Sequence, residues 1–184
     1  MTTLIPAQTT TTPAARFTDI TLSEAGKLAA DRYQPWTGPS GEETTGEAVA
    51  LHLEAAIRLL EQDGWVRVYD YSKEWSAGSD LPDEDTASSE EMLRALLRLV
   101  RDEAGTGPQR TLSTVLRHVG GSSHGDPDTA QIASAVLDLV IRAHTGCGTA
   151  RASCWSERLT RTHQDITALL TAGALFARTY GPSA

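Results

Sequence analysis

The stretch "TTGEAVALHLEAAIRLLEQDGW" puts Val49, Leu53, Ala56, Ile57 and Leu60 on one stripe at helical spacing. Thr44 and Glu47 stand three apart ahead of it, as a capping box requires, and Gly64 follows as a stop. The same grammar repeats along the chain. Thr21 and Glu24 open a helix carrying Leu22, Ala25, Leu28 and Ala29, which Pro35 ends near Tyr33. Ser88 and Glu91 open one with Leu93, Leu96, Leu97 and Val100 inward, running to about Ala104. Leu112, Val115, Leu116 and Val119 line a short helix. Asp126 caps a helix that begins at Pro127 and buries Ile132, Val136, Leu139, Val140 and Ala143 before "TGCGT" stops it. Thr162 and Asp165 open the last helix, striped by Ile166, Leu169, Leu170, Gly173, Ala177 and Tyr180.

Between these stripes the pattern changes. "WVRVYDY" is rich in β-favouring residues and predicts a short extended segment near 65–71, with no strong second strand to pair with it. Residues 72–87 are polar and acidic, with little apolar area to offset ordering, and predict a mobile loop. Residues 1–18, rich in threonine, predict a flexible tail. The fold class is therefore mainly α: a compact single-domain bundle of six or seven helices over residues 19–181.

Length and composition narrow this further. At 184 residues one domain is expected, and aromatics at 5% leave the core to Leu, Val, Ile and Ala. No apolar run approaches the ~18 residues that span a bilayer, and the N-terminus lacks a basic start followed by an apolar stretch. No membrane partner and a cytoplasmic location are the expectation. The net charge of −8 is uneven: residues 1–91 carry six Lys and Arg against seventeen Asp and Glu, residues 92–184 ten against seven. The acidic half repels nucleic acid; the second half tolerates it.

Candidate chemistry concentrates in "CWSERLTRTHQD", residues 154–165. His144, Cys147, Cys154 and His163 are zinc-ligand types, but the gap between the cysteines is long for a clip and His163 stands apart, so no metal and no cofactor is expected. Cys147 lies between two glycines, with His144 three residues before it; a helix stop explains those glycines better than an activated thiol does. "LTRTHQDITALL" also fits the turn and second helix of a helix-turn-helix, with His163, Gln164 and Thr167 toward the groove and Arg158 and Arg161 on phosphates. The turn glycine is missing and the chain is acidic, which weighs against nucleic acid as a partner. The favoured reading is a structural corner. Cys154 and Trp155 face inward, Leu159 packs four residues on, Thr162 and Asp165 cap the last helix, and Arg158 and Arg161 point to solvent.

Two segments carry a resemblance. "HLEAAIRLLEQDGW" resembles the opening helix of a small actinobacterial family of unknown function, whose members close on "WND…RT-x-x-D/E-V…LL-x-x-A". Here Trp155, Arg161, Thr162, Asp165, Ile166, Leu169, Leu170 and Ala174 fall on or close to that ending, with Ser156 and Glu157 in place of the Asn-Asp. The Cys-Ala-Gly-Ala-like piece that usually follows "GW" is absent, and the resemblance covers roughly a third of the chain. It implies a small, mostly helical actinobacterial or phage-encoded protein and carries no activity. The expected function is a non-catalytic protein-interaction or regulatory role, with a protein partner, a second copy of this chain being one candidate. The alternative is a DNA-binding regulator using residues 154–171.

Overall fold

The computed structural model describes residues 15–32, 35–68, 88–95, 109–123 and 125–183. Seven helices account for 66% of them, so helix dominates as the stripes predict. They are α1 (Asp19–Ala30), α2 (Gly46–Asp63), α3 (89–95), α4 (Leu112–Gly120), α5 (Pro127–Thr145), α6 (Ala152–Ser156) and α7 (His163–Tyr180). Among the described residues there is no strand, and no helix is long and apolar enough to cross a membrane.

The core is built on α2 and α7, which run antiparallel. The Gly46 N–H, at the start of α2, donates to the Pro182 carbonyl at 2.9 Å, just past the end of α7. A Cβ at Gly46 would lie 2.2 Å from the Ala177 carbonyl oxygen, so no larger residue fits there without moving backbone. One turn-pair further in, a Cβ on Gly173 would meet Leu137 at 2.5 Å and Leu53 at 3.1 Å; α2, α5 and α7 converge on that glycine. Val49, Leu53, Ala56 and Leu60 meet Ile166, Leu169, Leu170 and Phe176 in this seam, and Ile132, Val136, Leu137, Val140 and Ile141 of α5 complete the core. Outside it, Arg178 clasps Glu47 through two bonds at 2.9 and 3.0 Å and reaches Glu54 as well. Being exposed, these pairs fix geometry more than they stabilise.

Several boundaries differ from the sequence expectation. The capping box of α1 is Thr18 with Thr21, not Thr21 with Glu24, so the helix begins at Asp19 and ends at Ala30, short of Tyr33. The N-cap of α2 is Thr45, whose hydroxyl accepts from the Ala48 N–H at 3.1 Å. Thr44 lies outside the helix, its N–H donating to the Trp36 carbonyl. That frees Glu47 from a capping box to meet Arg178. On α3 the Ser88–Glu91 box forms, but Leu93 is 56% exposed rather than inward; Leu96, Leu97 and Val100 lie outside the described residues. His52 is buried on α2 among apolar neighbours, its Nε2–H donating to the Leu116 carbonyl at 3.1 Å.

Only the start of the extended segment near 65–71 lies within the described residues. Trp65 forms a parallel bridge with Arg110: Val66 N–H donates to the Arg110 carbonyl and Arg110 N–H to the Gly64 carbonyl, each at 3.0 Å. Among the described residues the partner is Arg110, fixed also by its ion pair with Asp63 at 2.6 Å. The acidic loop at 72–87 and residues 1–14 of the tail lie outside the described residues. Residues 15–18 are packed: Ala15 and Phe17 lie half-buried against the core.

Candidate functional site

α5 ends at Gly146, which takes a left-handed conformation (φ 68°) that a side chain would resist. The loop that follows folds back onto α5. Arg142 Nε donates to the Ala150 carbonyl at 3.1 Å, and the Ala152 N–H donates to Asp138 Oδ1 at 2.8 Å. Asp138 thereby caps α6 from another helix, in place of the side-chain cap that Arg151 cannot supply. So anchored, the short α6 drives Trp155 inward to 5% exposure.

Trp155 is the centre of a corner. Arg161 lays its guanidinium carbon 3.9 Å from the indole centroid. The His144 ring stands edge-on at 6.4 Å, and Phe17 approaches from the chain before α1, 5.9 Å from Trp155 and 4.8 Å from His144. Beside them Asp165 is buried. Its carboxylate accepts from the Thr162 N–H at 2.8 Å, from the Thr162 hydroxyl at 2.9 Å, and from the Ala15 N–H. Burial works to raise the Asp165 pKa, but these bonds and the nearby Arg161 charge together hold it below the usual value. His144 is held below its usual value first by burial and then by Arg161. Trp155 Nε1, Arg161 Nε and His163 Nε2 are buried with no hydrogen-bond partner among the described residues.

The capping box at Thr162 and Asp165 is present as the sequence implies. Thr162→Ala is expected to cost about 1 kcal/mol of stability in a urea melt, the usual loss for a hydroxyl N-cap; no measurable change would mean that Asp165 holds the helix start alone.

The remaining candidates are dispersed. Arg158 is exposed, as expected, but Arg161 is not turned to solvent. Leu159 is 81% exposed instead of packed. α6 stops at Ser156, and the Arg158 N–H donates to the Trp155 carbonyl in a tighter turn, so the helical spacing from Trp155 does not reach Leu159. Cys154 is exposed rather than inward. Cys147 is exposed too, and its thiol is lowered first by the Thr149 hydroxyl, 3.4 Å away. Among the described residues no three His, Cys, Asp or Glu side chains gather as metal ligands. The helix that precedes the turn at 157–162, α6, is five residues long.

Gln164 and Thr167 instead line a groove of about 380 Å³ between α1 and α7. Phe17, Leu22, Ala168 and Ala172 form its floor, Leu175 lines it as well, and Asp19 is the one charged residue among those lining it. Thr167 and Thr171 turn their hydroxyls back to the carbonyls of His163 and Thr167, at 3.2 and 2.8 Å. With the hydroxyls so engaged, they offer the groove mainly their methyl groups. Leu175 stays 51% exposed. Phe17 and Leu22 occupy the positions of a hydrophobic staple around the Thr18 cap, a signal that would have marked Phe17 in the sequence.

The family model DUF6197, described as a family of unknown function, matches residues 44–175. The chain belongs to this family. Both segments that carried the resemblance lie inside the DUF6197 match. The match starts beside the cap of α2 and ends within α7, so Phe17 and α1 lie before it. The groove therefore joins one wall inside the DUF6197 match to one outside it. No curated protein and no solved structure matches the chain.

Proposed function

We propose that this protein is a non-catalytic, cytoplasmic interaction protein that holds an apolar helix of a partner protein in the groove between α1 and α7. The observation that carries the reading is Leu175. It belongs to the most buried helix of the core, yet stays 51% exposed over a floor of Leu22, Ala168 and Ala172. Two parallel helical walls with an apolar floor suit the helix-in-groove mode of recognition. The volume lies at the small end of ligand sites, fitting two or three side chains of a helix. Asp19 at one edge sets the polarity: the occupant carries a Lys or Arg beside its apolar stripe.

The test is a titration with two synthetic amphipathic helices of equal apolar face, one bearing lysines and one glutamates at the flank. The lysine peptide is expected to bind and the glutamate peptide to bind at least tenfold more weakly, about 1.4 kcal/mol. Leu175→Glu is expected to abolish binding of the lysine peptide while far-ultraviolet circular dichroism stays unchanged. If neither peptide binds while duplex DNA does at low salt, and Gln164→Ala weakens the DNA complex, the regulator reading replaces this one. If the chain self-associates and Leu175→Glu makes it monomeric, the occupant is a second copy.

A further inference from the structure

We propose that residues 15–18 form a latch closed by neutral His144, and that protonation of this imidazole releases Phe17 from the Trp155 corner. The latch stands on its own contacts; only its consequence for docking rests on the groove reading above.

Two attachments hold these residues to the Trp155 corner, apart from the bonds by which Thr18 caps α1. One is the Ala15 N–H donated to Asp165 Oδ1, across 150 positions of sequence. The other is the Phe17 ring, 4.8 Å from His144 and 5.9 Å from Trp155. Arg16 and Thr18 between and beside them are exposed. The latch is therefore a small structure with few contacts, the kind that opens without the core.

His144 is the group positioned to open it. Phe17 faces it from the latch, Trp155 from α6 and Arg161 from the turn before α7. Arg161 is the charged side chain whose field reaches it. On its own helix, Arg142 is engaged with Ala150 and Asp138, and Asp165 is engaged with Ala15 and Thr162. A proton on His144 places a second cation beside Arg161 and requires water where Phe17 now lies. With Phe17 gone, the charged ring gains that water and remains in the last turn of α5, where the carbonyl end of the helix favours a cation. Release thus leaves α5 intact.

The sign follows from the direction of the titration. His144 is held below the usual imidazole value in the closed state, mainly by burial. The open state binds the proton more readily, so closure is complete above the free imidazole value of about 6.5 and is lost as pH falls below it. Asp165, lowered as a carboxylate, stays ionised through that window and keeps accepting from Thr162. Because Phe17 lines the α1–α7 groove, opening also removes one end of its floor.

The experiment is nuclear magnetic resonance on the full chain, following the Ala15 amide and the histidine rings from about pH 7.5 to about pH 5. The Ala15 amide is expected to leave its carboxylate-bonded position with the midpoint of the His144 ring. The docking equilibrium should shift about tenfold for each pH unit separating the His144 midpoint from that of a free imidazole. In His144→Gln the Ala15 amide is expected to stay in place over the same range. An Ala15 amide that stays put while His144 titrates overturns the latch. So does one that follows the buried imidazole of His52, or that still moves in His144→Gln. Should His144→Gln fail to fold, the coincidence of midpoints in the natural chain decides alone. Adding the lysine peptide at both pH values separates the two readings: unchanged affinity across a moving latch removes the groove and leaves the latch.

Discussion

Trp155→Ala is expected to lower the unfolding free energy by about 3–5 kcal/mol, as for a large buried aromatic cut to a methyl. Trp155 is only 5% exposed, and three groups from outside α6 rest on it: Phe17, His144 and Arg161. Removing the indole leaves a cavity and also takes the seat from under a half-buried guanidinium whose Nε has no partner among the described residues. One effect works the other way: Trp155 Nε1 is itself buried with no partner among the described residues, so its loss relieves a desolvation cost of order 1–3 kcal/mol. Packing wins, because that cost attaches to one atom and the lost contacts to the whole ring. Trp155→Phe separates the two, since it keeps a ring and discards the unpaired N–H; it should recover most of the loss. Urea melts followed by far-ultraviolet circular dichroism measure both. A Trp155→Ala variant within 1 kcal/mol of the natural chain would falsify the corner as a structural element.

Phe176→Ala should be of similar size, about 3–5 kcal/mol. Its ring is fully buried, stacked on Trp36 at 6.2 Å and on Tyr180 at 5.1 Å. The Trp36 stack is what draws the irregular chain ahead of α2 onto the core. That same chain fixes the start of α2 through the Thr44 N–H on the Trp36 carbonyl. The loss therefore spreads from one side chain to the placement of a helix, and collapse of the cavity recovers little. For a domain of this size it corresponds to a fall in Tm of roughly 10 °C. A fall of only one or two degrees, read by calorimetry, would mean that Trp36 finds another seat.

Local signals were legible. Pro127 after Asp126, the Thr162–Asp165 pair and the stripes of α2, α4, α5 and α7 each rest on residues within a turn or two of one another, and the structure holds them as read except at Tyr180, which the last turn of α7 leaves 41% exposed. The caps of α1 and α2 shifted because "FTDITLSEA" and "ETTGEA" offer several threonines within one turn, all competent to cap. The choice fell to partners beyond the helix turn, such as Trp36 for Thr44. The candidate site was less legible for the same reason. Arg161, His144 and Phe17 have no periodic relation to one another, and only the folded chain brings them onto Trp155. Gln164 and Thr167 were singled out as readers of a DNA groove; they line a groove of the protein itself.

The antiparallel seam of α2 and α7 has a bearing on how the chain is made. The Arg178–Glu47 contact that flanks the seam spans 131 positions, with most of the helices between its two ends. During synthesis α2 emerges long before α7 exists, so Val49, Leu53 and Leu60 must wait without their partner. The early chain can gather α2 with α4 and α5, but its largest apolar surface closes last. This order of assembly predicts a nascent chain that depends on chaperones until α7 has been released, and a fold whose speed is set by that final, long-range closure.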